Sequence, residues 1–184
     1  MKSRSNGSLL SRHRRTLRAL RSKWILALVV GAVGSAAYAS NVMATQSSGL
    51  GTTILAESQF SSFFAQGHAF PPAWGALMAT YGNTDVYIVD NKIDPSGTTG
   101  WHSHPGPSLI LVVAGQVTNY TSEDRDCTGQ TYTAGQGFID SGGNDEHTLR
   151  NNGTTEAETI AVQLIPHGQL RKIDYPTNPT GCPL

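Results

Sequence analysis

Basic side chains are scarce over most of this 184-residue chain. After residue 39 only Lys92, Arg125, Arg150, Arg171 and Lys172 remain, five against all thirteen acids, a net charge of −8. Nucleic acid and anionic membrane surfaces require clustered cations, so that part of the chain is a poor partner for either. Long apolar runs are also scarce. The uncharged stretch Trp24 to Ala39 is 16 residues long and contains Gly31 and Gly34, whereas a spanning helix needs about 20. Beyond it no segment carries a convincing helical period, and no internal repeat or low-complexity domain is present. Cysteine is limited to Cys127 and Cys182.

What is present begins with a targeting pattern. The first 23 residues hold eight basic side chains and no acid. The apolar stretch that follows ends in Ala37-Tyr38-Ala39, a small-x-small cleavage pattern, with Val42-Met43-Ala44 as a second option. This layout predicts a secretory signal over residues 1–39; an uncleaved signal anchor, the one membrane association expected, is the alternative. The pair Arg14-Arg15 resembles a twin-arginine signal but lies far from the apolar stretch. The predicted location is therefore secreted or extracytoplasmic. Residues 40–51, rich in Ser, Thr, Gly and Asn, are expected to be a flexible linker. Residues 52–184 are expected to form one domain with a C-terminal tail. In an exported protein a cysteine pair reads as a disulfide. It would close a loop of 56 residues, Cys127 through Cys182, worth about 4 kcal/mol by loop entropy. The alternative, two thiols joining a metal site, fits less well with their polar, turn-like flanks.

The domain reads as short strands separated by turns. Alternation predicts a strand at Thr84 to Ile93, a turn at Asp94-Pro95-Ser96-Gly97 and a strand at Gly100 to His104. Ser108 to Ala114 is apolar at both parities and is expected to be buried on both faces. Gly115-Gln116 predicts a tight turn with Val117 to Tyr120 pairing back as a hairpin. Short strands follow at Gln130 to Thr133, Phe138 to Asp140 and His147 to Arg150. Asn151-Asn152-Gly153 predicts a second hairpin, with Glu156 to Ile165 as the partner strand. Residues 166–184 hold four prolines and read as an irregular tail. The fold class is all-β, a sandwich or barrel.

The chemistry centres on Trp101-His102-Ser103-His104-Pro105-Gly106-Pro107. Side chains two apart on a strand share a face, so His102 and His104 can aim at one point. His147 follows a Gly-rich turn. Three convergent imidazoles suit a transition metal; the plainer reading is three hydrogen-bonded, chemically idle histidines. His68 and His167 lie by loops or prolines and read as solvated, and Trp101, of opposite parity, as core.

These residues resemble the cupin superfamily over roughly residues 84–165. His102-x-His104 matches the histidine pair of its first motif, with Gly115 at the required distance after Ser108, which stands where cupins usually carry glutamate. His147-x3-Asn151 matches the second motif. The pattern is similar to small exported single-domain bacterial cupins. The resemblance implies a jelly-roll β-barrel with a metal at His102, His104 and His147. The metal would be divalent: zinc, copper, manganese, nickel or iron. It also implies a small-molecule ligand or substrate, and a homodimer as an assembly to test. Without a glutamate at Ser108, three neutral imidazoles leave a divalent ion its full charge. Asp140, Asp145 and Glu146 are the candidates to replace that carboxylate, Asp145 with the parity of His147. The functional readings are a metal-dependent enzyme of oxygenase or isomerase type, a non-catalytic module binding a metal or small ligand, and a structural barrel with idle histidines. No general base is identifiable in sequence.

Overall fold

The alternating segments become strands in a computed structural model, which describes residues 45–71 and 73–182. The signal segment expected over residues 1–39 and the first part of the linker lie outside the described residues. In chain order the strands are β1 (Ser48–Phe60), β2 (Phe64–Ala69), β3 (Trp74–Ala79), β4 (Thr84–Thr98), β5 (His102–Ser103) and β6 (Ser108–Ala114). There follow β7 (Gln116–Thr121), β8 (Gln130–Thr133), β9 (Gly137–Asp140), β10 (His147–Arg150), β11 (Ala157–Pro166) and β12 (Ile173–Asp174). All pairings are antiparallel. One run is β1-β4-β11-β6-β9, and the other is β12-β5-β10-β7-β8. The pair Arg150↔Thr98 joins them. The result is a nearly closed jelly-roll barrel, with β2 and β3 as a separate hairpin.

The barrel closes because residues of both runs share one core. Ile93 and Val112 come from one run and Val117 and Leu149 from the other, packed with Ala157. A second cluster is Val89, Ile110 and Ala161. Each such Val, Leu or Ile contributes roughly 1.5–3 kcal/mol by leaving water. Strand β11 alternates buried and half-buried over Ala157–Ile165, as one face packed inward requires.

Neither expected hairpin forms. Strand β7 does not pair with β6; it pairs with β10 and β8. Strand β11 does not pair with β10; it pairs with β4 and β6. The turns at Gly115 and at Asn151-Asn152-Gly153 are corners that carry the chain from one run to the other. Gly115 has φ 65° and lies against Glu156 and Ala157 of the neighbouring strand. Asn151 is fully buried and donates through Nδ2 to Ile93 O and Thr155 O, both at 2.8 Å. It ties the corner to β4 instead of tightening a hairpin.

Three further expectations change. The Asp94 to Gly97 turn is a bulge within β4, with Ser96 at φ 65°, and Gly49 faces it between the register pairs Leu50↔Ile93 and Ser48↔Thr98. Strand β1 begins at Ser48, inside the stretch expected as linker, because its backbone completes the ladder on β4. Strand β6 is buried on one face only. Leu109, Leu111 and Val113 point outward and are 46–47% exposed, because the barrel wall is one layer thick there.

Candidate metal centre

Backbone register builds the site. His147, first residue of β10, pairs directly with His102 on β5, and His104 lies two residues beyond His102. The three rings meet edge to face, with centroids 4.9 Å (His102–His104), 4.5 Å (His102–His147) and 5.6 Å (His104–His147) apart. One ligating nitrogen from each lies within 4.8 Å of the others, and all three residues are buried. His102 Nε2 and His147 Nε2 are 3.0 Å apart.

The outer nitrogens fix the tautomers. His102 Nδ1 is 2.8 Å from Gly100 O and His104 Nδ1 is 2.7 Å from Arg171 O. A carbonyl only accepts, so each Nδ1 carries the proton and each Nε2 turns a lone pair inward. Gly100 allows this local path. It has φ 69°, and a Cβ there would lie 2.2 Å from Thr45 O. Burial holds the imidazoles neutral. It drives His147 down to about 3 and His102 well below the ordinary range, with the neighbouring histidines adding to the effect, and it lowers His104 as well. Neutral imidazoles with inward lone pairs are the form that binds a divalent transition ion. The donor set therefore fits such an ion.

Of the three carboxylates considered above, Asp140 comes within 4 Å of the histidine nitrogens. Its Oδ2 lies 3.7 Å from His104 Nε2 and 3.9 Å from His147 Nε2. Oδ1 accepts from Gly142 N at 2.9 Å, while Oδ2, buried, has no hydrogen-bond partner. Asp145 and Glu146 are half-buried in the turn before β10. Ser108 is fully buried and takes a weak bond from Gln163 Nε2 at 3.4 Å.

A small cleft lies against the three histidines. Gln163, Thr159, Arg171 and Lys172 are among its walls. Arg171 donates to Gln163 Oε1 at 2.9 Å, and Lys172 Nζ donates to Thr99 O at 3.1 Å and pairs with Asp174. Arg171 and Lys172 lie in the tail expected to be irregular. Instead β12 pairs with β5, and Tyr175 N donates to Trp101 O at 2.9 Å. Two of the five basic residues after residue 39 standing side by side was the signal in the sequence. Gln163, a polar residue at an inward parity of β11, was another. His167 is exposed, as expected, and also pairs with Asp85 at 2.9 Å. His68 lies on the exposed β2–β3 hairpin. Trp101 is fully buried, as expected for core. Cys127 and Cys182 are joined in a disulfide.

The two antiparallel runs folded into a jelly-roll barrel are the double-stranded β-helix fold. No protein-family model and no curated protein matches the chain. Among solved structures it is similar to an uncharacterised double-stranded β-helix protein of Klebsiella pneumoniae, at 15% identity and TM-score 0.42 over 49% of this chain and 76% of that one. It is similar to the polyketide cyclase RemF of Streptomyces resistomycificus, at 12% and 0.47 over 75% and 80%. It is also similar to an oxalate oxidase solved with the substrate analogue glycolate, at 25% and 0.36 over 42% and 41%; the match spans about two fifths of that protein.

Proposed function

We propose that the chain is an exported cupin that holds a divalent transition metal at His102, His104 and His147 and uses it on a small anionic molecule in the adjoining cleft. The convergence of three buried, neutral imidazoles, with the Nε2 lone pairs of His102 and His104 turned inward, is the observation that carries this reading. A bound metal supplies Lewis-acid polarisation of a ligand oxygen. The rest is the work of the chain. Arg171 faces the cleft with Gln163 as its hydrogen-bond partner, and no carboxylate pairs with it among the described residues. A guanidinium in that state favours an anion. Thr159 Oγ1, fully buried in the cleft wall, has no hydrogen-bond partner and can orient a polar ligand. The disulfide supports the extracytoplasmic location, and the signal over residues 1–39 is part of the same proposal.

A non-catalytic binding module is the second reading. It is favoured by one observation: among the described residues no carboxylate or phenol lines the cleft to serve as an acid or base. One measurement tests the shared part of both. The untagged chain, loaded with zinc, manganese or copper and desalted, is compared with His147→Ala by elemental analysis. Near-stoichiometric metal in the first and little in the second is expected. Equal, substoichiometric metal in both overturns the proposal.

A further inference from the structure

The carboxylate that cupins carry at the position of Ser108 has a counterpart across the ladder. Ser108 on β6 pairs directly with Asp140 on β9. Cross-strand partners stand side by side on one face of a sheet. The Asp140 side chain is fully buried, and Oδ2 faces His104 Nε2 at 3.7 Å and His147 Nε2 at 3.9 Å. We propose that Asp140 Oδ2 is a fourth ligand to the metal held by His102, His104 and His147, supplied by β9 in place of β6.

The distances separate this role from an ordinary ion pair. At 3.7 and 3.9 Å the contacts are too long for hydrogen bonds. Two ligands about 2.1 Å from one tetrahedral ion are about 3.4 Å apart, so small movements bring all of them onto a shared ion. The orientation points the same way. His104 Nδ1 carries the proton toward Arg171 O, so His104 Nε2 and Asp140 Oδ2 turn lone pairs toward each other. Two buried acceptors facing each other favour a cation between them. A cation also accounts for Oδ2 having no other partner among buried polar atoms. Gly142 N holds Oδ1 at 2.9 Å and so aims Oδ2. With Asp140 bound, the net charge of the centre is +1 instead of +2.

The inference rests on the metal reading above, and one titration distinguishes the two. Zinc is titrated against a chromophoric chelator into the full chain, Asp140→Asn and His147→Ala. Asparagine keeps the shape and can still accept from Gly142 N. The expected result is a loss of zinc affinity of at least tenfold to a hundredfold in Asp140→Asn and a larger loss in His147→Ala, with the metal-free melting temperature of Asp140→Asn unchanged or raised. Wild-type affinity in Asp140→Asn, with His147→Ala defective, overturns the Asp140 ligand alone. No zinc affinity in the wild type overturns both readings. If Asp140→Asn is unfolded, the infrared difference spectrum of the wild type with and without zinc decides, with His147→Ala as the blank. A shifted carboxylate stretch supports the inference, and its absence overturns it.

Discussion

Replacing Cys127 and Cys182 together by serine tests how the tail is held over the site. The two residues are 55 apart in sequence. The loop-entropy relation assigns a closed loop of that length about 14 cal/mol/K, or about 4 kcal/mol at 25 °C. Part of this is offset locally, because Cys127 sits at φ 56°. A non-glycine residue there costs roughly 1–2 kcal/mol, and the 121–129 loop can relax once the bond is gone. The net loss is then about 2–3 kcal/mol. For a domain of this size that lowers the melting temperature by roughly 6–12 °C. The native tail keeps other ties. Ile173 and Asp174 pair with Ser103 and His102, Thr45 Oγ1 donates to Tyr175 O at 2.6 Å, and His104 Nδ1 donates to Arg171 O. The double variant should therefore melt early yet retain amide protection at β5 and β12 in the cold, with zinc affinity within about threefold of wild type. Circular dichroism melts and hydrogen exchange measure both. An unchanged melting temperature refutes the entropic account. Loss of protection at β5 and β12 at low temperature refutes the claim that hydrogen bonds alone dock the tail.

Acid should destabilise the metal-free protein. Burial depresses the histidine pKa values in the fold, so the unfolded chain takes up protons first. Stability is full above about pH 6.5 and is lost as pH falls toward 3, where His147 titrates. At pH 5 His147 alone accounts for about 2 kcal/mol. Asp140, pushed upward by burial, acts in the opposite sense and reduces the total. Urea melts at pH 7 and pH 5 check the sign, and equal stability at both would contradict neutral buried histidines. Asn151→Ala should cost roughly 2–4 kcal/mol, because it strands Ile93 O and Thr155 O; a urea midpoint unchanged within error counts against its corner role. In Gly106→Ala the new Cβ would lie 2.0 Å from Leu164 O, so loss of at least 2–3 kcal/mol or of soluble expression is expected, and wild-type thermal stability would show that the 105–107 bend can shift.

The strands were legible because their signal is local. Thr84 to Ile93, His147 to Arg150 and Glu156 to Ile165 carry alternation or turn boundaries that a short window contains, and each became a strand. Pairing was not legible, because a turn does not state whether the chain doubles back or crosses to the other run. Gly115 and Asn151 look like hairpin residues in sequence. What decides their role is Glu156 beside Gly115 and Ile93 O beside Asn151, contacts over 41 and 58 residues. The outward face of β6 was not legible for a related reason. Leu109, Leu111 and Val113 are apolar, and composition alone cannot say whether a second layer covers them.

The site divides along the same line. His102, His104 and His147 could be grouped from spacing because the i, i+2 pair is local and the strand pattern brings the third within range. Asp140 could be named only as one of three carboxylates, since its claim depends on register. A shift of one residue in the β6–β9 ladder would turn Asp140 to the outside and bring Ile139, now 71% exposed, inward. Gly137 pins that register. It lies opposite Leu111, and a Cβ on it would sit 2.7 Å from Ile110 O. The pair Ser108↔Asp140 thus has a physical logic that neither residue has alone. A serine on β6 leaves room and a carboxylate on β9 fills the same buried face, so charge next to the histidines can be kept while its source in the sequence moves by 32 positions. Gly137 should therefore matter to metal affinity although it touches no ligand: Gly137→Ala, by displacing β9 from β6, is expected to weaken zinc binding about as much as Asp140→Asn does.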